Sequence, residues 1–360
     1  MSKNLEIGIV GLPNVGKSTL FNILTDGNAL AANYPFATIE PNSGTVAVPD
    51  ERLRVLADLY KTNKIIPATV TFTDIAGLVA GASKGEGLGN QFLGHIRSTA
   101  LIVHVVRAFS DSNIQHVDED HNPKKDIEVI NTELMLADIQ SIDKRLSKLE
   151  KEARSDPKVR VIVEQIKKVR DYLDQGIMPN SLPDEDFSEI TDLQLLSLKP
   201  QIFVFNIDEK DLDKDSKKQE LIKLVANYPS VFISAKLENE LRGLDESDAK
   251  ELLESYGQTE NGLNILIKMA YSTLGLQSYL TAGEKEVRAW TINSGDTAPQ
   301  AAGVIHGDFE KGFIAAEIVN YTDLVNAGSM QAARANGKVR TEGKAYVMKP
   351  DDVVEFRFNV

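Results

Sequence analysis

Ile7-Gly8-Ile9-Val10-Gly11-Leu12-Pro13-Asn14-Val15-Gly16-Lys17-Ser18-Thr19-Leu20 decides the fold of this chain. Ile7 to Val10 is a short apolar run suited to a buried parallel strand. Gly11 to Ser18 reads Gly-x-x-x-x-Gly-Lys-Ser, and Thr19 to Leu24 carries apolar residues at helical spacing. Strand, glycine-rich loop and helix in that order are the setting in which this pattern has a physical meaning. Gly11 and Gly16 let the backbone turn tightly and turn its N–H groups toward an anion. The helix behind them aims its positive end at the same point. Lys17 is placed to reach a β/γ-phosphate, and Ser18 offers a hydroxyl to Mg²⁺. The loop is a phosphate cradle. Asn14, Val15, Gly16, Lys17, Ser18 and Thr19 are its candidate nucleotide-binding residues.

Three further stretches complete a nucleotide site. Thr69 to Thr73 is β-rich and runs into Asp74-Ile75-Ala76-Gly77-Leu78. An Asp at a strand end can hold the Mg²⁺ shell, and the Gly77 N–H can meet a γ-phosphate. Between the cradle and Asp74 lies Asn33-Tyr34-Pro35-Phe36-Ala37-Thr38-Ile39-Glu40-Pro41. This is a loop in which Thr38 is the candidate third Mg²⁺ ligand. Gln201 to Phe205 is a strand ending in Asn206-Ile207-Asp208-Glu209. Val231 to Ile233 is another, ending in Ser234-Ala235-Lys236. Motifs at the carboxyl ends of successive strands are the layout of an open α/β nucleotide site. Together they resemble the five motif regions of translation-factor-related GTPases. Asn206, Ile207, Glu209, Ser234, Ala235 and Lys236 are the candidate base-side residues.

Those GTPases read guanine with Asn-Lys-x-Asp, whose Asp accepts from two base N–H groups. Here Ile207 replaces the Lys and Glu209 replaces the Asp. A displaced carboxylate leaves buried guanine donors poorly paired, at a cost of ~1–3 kcal/mol each. ATP is the expected nucleotide; the alternatives are a GTPase switch and a ribosome- or RNA-binding protein that holds nucleotide as a structural ligand.

The whole composition is that of a folded protein. The 360 residues are 42% apolar and 26% charged, with a net charge of −13 and no cysteine. A disordered chain, a collagen-like chain and a coiled-coil rod are excluded, as are disulfides and cysteine chemistry. The acidic total argues against a surface that coats nucleic acid throughout, but leaves room for a local basic patch. No apolar run approaches the ~20 residues of a membrane span. The first residues lack the pattern of a secretory signal, so a cytoplasmic location and no membrane partner are expected.

The chain also resembles a known family. Gly11–Ser18, Asn33–Thr38, Asp74–Leu78, Asn206–Glu209 and Gly81-Ala82-Ser83-Lys84-Gly85-Glu86-Gly87-Leu88-Gly89-Asn90-Gln91-Phe92-Leu93 are similar to motifs of the YchF family of Obg-like ATPases. Glu286–Ile292 and Ala298–His306 are similar as well, so the likeness runs along essentially the whole chain. It implies a P-loop NTPase of GTPase fold that hydrolyses ATP, associates with ribosomes and acts in translation or stress control. It also implies a catalytic role for His116, with Lys17 and Gly77, because Leu78 stands where many GTPases carry a water-orienting glutamine. Asn14 is implied as a K⁺ holder. Ala37 and Ala108 stand where the family often has Cys, so a thiol-based redox control has no basis here.

Two modules are added to the nucleotide domain, expected at 1–120 and 196–275. Between 121 and 195, apolar residues repeat at three- and four-residue spacing over Ile127–Leu149 and Val159–Leu173, broken by Asp156-Pro157. This predicts an inserted α-helical hairpin. Between Lys144 and Arg170 it holds ten basic residues against four acidic ones. Like charges at such spacing are mildly unfavourable unless a phosphate-rich partner meets them, so a ribosome or RNA contact is expected here. Residues 276–360 read as short strands and turns, a β-rich, ubiquitin-like domain that resembles TGS domains and is a second expected contact. The predicted class is therefore α/β: a GTPase-type, mostly parallel sheet with helices on both faces, a helical insert and a β-rich end. His104, in Leu101–Val106, and Trp290 read as core residues.

Overall fold

The computed structural model describes residues 6–26, 42–75, 88–110, 122–225 and 227–359. They form two compact units, Met1–Thr45 with Thr71–Leu266, and Val46–Val70 with Ile267–Val360. In chain order the strands are β1 (Glu6–Val10), β2 (Ser43–Ala47), β3 (Ile65–Ile66), β4 (Thr69–Asp74), β5 (Leu101–Ala108) and β6 (Gln201–Ile207). They continue with β7 (Ser230–Ile233), β8 (Leu276–Ala282), β9 (Val287–Asn293), β10 (Phe313–Asn320), β11 (Arg340–Glu342) and β12 (Asp352–Phe358).

The first sheet runs β2-β4-β1-β5-β6-β7. All its pairs from β4 to β7 are parallel. The β2 edge is antiparallel, since Ser43 meets Thr73 and Thr45 meets Thr71 through their hydroxyls. The central strands β5 and β6 are buried along nearly their whole length, as parallel strands covered on both faces must be. Phe203, Phe205 and Ile207 alternate onto one face of β6. There they pack with Leu221 and Val225 of the helix Asp215–Val225 and with Leu237 and Leu241 of the helix Ala235–Leu241. Parallel pairing brings every strand end that carries a sequence motif to one edge of the sheet.

The helical insert forms as expected, from Pro123–Glu152 and Pro157–Asp174. Each helix starts with Pro at its first position behind a capping side chain. Asn122 accepts from the N–H groups of Lys124 and Lys125, and Asp156 accepts from Lys158. Ile130, Leu134 and Ile142 of the first helix and Val163, Ile166 and Val169 of the second are all buried. The return to the sheet is pinned by Asp138, which is fully buried. Its carboxylate accepts from the N–H groups of Leu196 and Ser197 at 3.0 and 2.7 Å and from the Ser197 hydroxyl at 2.6 Å. Burial raises its pKa against these hydrogen bonds.

The second unit is a mixed sheet in the order β11-β10-β12-β8-β9-β3. Tyr279, Ile292, Phe313 and Ile318 form its core with Ala298, Ala301 and Ala302 of a short helix. A boundary at 276 leaves out Val46–Val70, which groups here: β3 pairs Ile65 with Val287, and Lys64 meets Glu286 at 2.5 Å. Lys64 and Glu286 lie 222 residues apart, so no local pattern exposes the pairing. Trp290 is half-buried at the core margin. The Arg288 guanidinium covers its ring at 3.7 Å, and its indole N–H donates to Thr281. Among the described residues no helix is long and apolar enough to cross a membrane.

Candidate functional site

The phosphate cradle begins where β1 ends. Asn14 (φ 62°) and Gly16 (φ 93°) both take left-handed backbone, and the helix starts at Lys17. For Gly16 no other residue fits. A Cβ there would stand 2.4 Å from Asn206 Nδ2, in addition to its strained φ. Gly11 is closed in the same way, since a Cβ there would stand 2.7 Å from the Val105 carbonyl oxygen.

Asn206 ties the site together from the end of β6. Its Nδ2 donates to the Val15 carbonyl at 3.0 Å, and its Oδ1 accepts from the Ala235 N–H at 3.1 Å. One buried side chain thus joins the cradle to the loop after β7. Ser234 caps the following helix by accepting from the Leu237 N–H.

Lys17 and Ser18 converge on Asp74 at the end of β4. The Lys17 ammonium pairs with one carboxylate oxygen, and the Ser18 hydroxyl donates to the other at 2.9 Å. Lys17 is 8% exposed, so its charge is partnered inside the fold. A serine hydroxyl and a carboxylate are hard oxygen donors, the set that Mg²⁺ takes together with phosphate and water. These residues fit that ion. Thr38, Gly77 and His116 lie outside the described residues.

A cavity of about 700 Å³ opens beside the cradle. Asn14, Gly16 and Thr19 form one wall; Asn206, Ile207 and Glu209 form a second; Ser234, Ala235 and Lys236 form a third. Glu209 and Lys236 meet at 2.7 Å. Burial pushes the Glu209 pKa up, but Lys236 and the residue's own N–H outweigh it and hold the carboxyl below its ordinary range. Glu209 is a charged acceptor in a charged pair.

Asp208, inside the Asn206–Glu209 motif, also lines this space, as do Phe109, Ser110 and Asn239, which no sequence motif singled out. Phe109 and Ser110 directly follow β5, so the strand-end rule that found the other motifs would have found them. Phe109 rests under the buried Arg107 guanidinium at 4.4 Å, and Asp208 accepts from the Ser110 N–H at 3.1 Å. His104 is a core residue, 1% exposed and 5.0 Å from the Phe203 ring, with burial pushing its pKa down to about 3. Among the described residues no cluster of His, Cys, Asp and Glu has the form of a separate metal site.

Comparison with known proteins sets this geometry in a family. A family model described as a 50S ribosome-binding GTPase matches residues 6–163, and the YchF-GTPase_C model, of unknown function, matches 276–359. The Ribosome-binding ATPase YchF of Bacillus subtilis is 48% identical over 99% of this chain and 100% of its own length. That of Haemophilus influenzae is 46% identical over 99% of each. The solved structure of the Schizosaccharomyces pombe YchF GTPase superposes with a TM-score of 0.87 at 40% identity, covering 99% of this chain and 98% of its own. A GTP-binding protein from Pyrococcus horikoshii shares the fold at 22% identity and a TM-score of 0.60. The likeness is not confined to the cradle that many nucleotide proteins share but runs through the insert and the β-rich end, and this chain belongs to the YchF family.

Proposed function

We propose that this protein is a Mg²⁺-dependent ATPase that acts on the ribosome as a regulatory switch in translation or stress control. The names of its relatives divide on the nucleotide, ATPase for the bacterial proteins and GTPase for the yeast one. The observation that carries our reading is the state of Glu209. Its carboxylate is paired to Lys236 at 2.7 Å, whereas guanine needs a carboxylate free to take two N–H groups.

In this reading the triphosphate lies along the loop from Asn14 to Thr19, and the base enters the cavity between Asn206–Glu209 and Ser234–Lys236. Lys17 exchanges the Asp74 carboxylate for β/γ-phosphate oxygens. Ser18, Asp74 and Thr38 hold Mg²⁺, which when bound neutralises charge on the phosphate oxygens. The Gly77 N–H faces the γ-phosphate. Water attacks the γ-phosphorus and the bond to the β-phosphate oxygen breaks, giving ADP and phosphate. Leu78 cannot orient that water, so His116 takes the task and turnover away from the ribosome is slow. Nucleotide state sets the order of the segments around Thr38 and Gly77.

Calorimetry on nucleotide-free protein with Mg²⁺ and K⁺ tests the base assignment. ATP is expected to bind more tightly than GTP. Tighter GTP binding overturns the assignment and makes this a GTPase switch.

A further inference from the structure

We propose that Lys236 sets the base preference of this site by occupying the Glu209 carboxylate that guanine would otherwise engage. The inference rests on the assignment of the cavity as the base pocket.

Glu209 opens the single 3₁₀ turn Glu209–Asp211 after β6, and Lys236 is the second residue of the helix after β7. The Asn206 amide ties these two strand ends together from below, through the Ala235 N–H. Lys236 therefore hangs from a backbone held at a fixed distance from β6. Its ammonium meets Glu209 Oε1 at 2.7 Å, while the Glu240 carboxylate on its own helix lies farther away at 4.0 Å. The Glu209 side chain is 16% exposed and that of Lys236 73% exposed, so the acid is set in the wall and the base closes over it from the rim. Glu209 also accepts from its own backbone N–H. A bidentate guanine contact needs both carboxylate oxygens free of competing donors, and here Lys236 and the backbone N–H already compete for them. Adenine has no N1–H and makes no such demand.

Lys236 is the exposed member of the pair, so removing its ammonium costs folding little and the change is readable in binding. ATP and GTP affinities are to be measured for the wild type, Lys236→Met, Lys236→Gln, Lys236→Arg, and Lys236→Met combined with Glu209→Gln. Removing the ammonium with Met or Gln is expected to raise GTP affinity relative to ATP by about fivefold, the scale of an exposed ion pair. Arg is expected to keep the wild-type ratio, and the combined variant to lose the gain. An unmoved ratio in both neutral variants overturns the role of Lys236, as does a gain that persists without the Glu209 carboxylate. Wild-type protein that binds GTP more tightly than ATP overturns the base assignment itself, whatever the variants do.

Discussion

Asn206 Nδ2 donates to the Val15 carbonyl oxygen at 3.0 Å, across a sequence separation of 191 residues. The residue expected to read the base is thus a clamp on the phosphate loop, and its other end accepts from the Ala235 N–H. Both amide ends are spent on the backbone. The phosphate loop and the proposed base pocket share one buried anchor.

Replacing Asn206 by Ala strands a buried carbonyl and a buried N–H. Each loss costs ~1–3 kcal/mol. Denaturant unfolding of Asn206→Ala is expected to show a loss of about 2–4 kcal/mol together with weaker nucleotide binding. Gly16→Ala strikes the same contact from the other side, through its φ of 93° and a Cβ 2.4 Å from Nδ2. Unchanged stability and affinity in both variants contradict the clamp.

Glu238 is expected to withdraw stability as pH rises above 6.5, where the opposing titration of His104 is complete. This side chain is 3% exposed; one oxygen accepts from the Gly262 N–H at 2.8 Å, and the other has no partner among the described residues. Burial raises its pKa to about 7 from 4.5. Between those values the folded protein holds the proton and the unfolded chain releases it. The contribution is therefore full below 4.5 and lost as pH climbs through 7. Thermal melts of Glu238→Gln are expected to flatten this dependence and to gain ~1–3 kcal/mol over wild type at pH 8. His104 works the other way. Its depressed pKa removes stability as pH falls below 6.5.

The tip of the helical hairpin is expected to carry the polyanion contact. Lys148, Lys167, Lys168 and Arg170 have carboxylate partners. Lys144, Arg145, Lys151, Arg154, Lys158 and Arg160 lie on the outer faces of the hairpin and have none within 4.0 Å among the described residues. Reversing Lys151, Arg154 and Lys158 to Glu should weaken ribosome co-sedimentation and make its salt dependence shallower by about two to three in slope. An unchanged slope places the contact elsewhere.

Potassium is expected to accelerate hydrolysis through Asn14, which stands in the cradle wall with left-handed backbone. Phosphate release in KCl should exceed that in NaCl by about tenfold or more, and Asn14→Ala should abolish the difference. Equal rates in both salts count against the assignment.

The cradle and the hairpin were legible in the residues because their causes are local. Gly16 and the helix start at Lys17 act within a few residues of each other. Asn122, Asp156 and the prolines after them announce helix starts in the same way. What stayed hidden depends on neighbours brought in by sheet order. That Val46–Val70 groups with the C-terminal residues follows from a pairing of β3 with β9, and nothing near Ile65 points to Val287. The wall residue Phe109 gains its place because β5 lies beside β6.

The sequence by itself determined that the motifs expected to handle phosphate, a hard cation and a base stand at the ends of parallel strands, since those motifs encode backbone geometry and charge. The tertiary structure alone decided what Asn206 and Glu209 are bonded to. A side chain's partners depend on which loops the sheet sets side by side, and β6 and β7 place Asn206 against Val15 and Glu209 against Lys236.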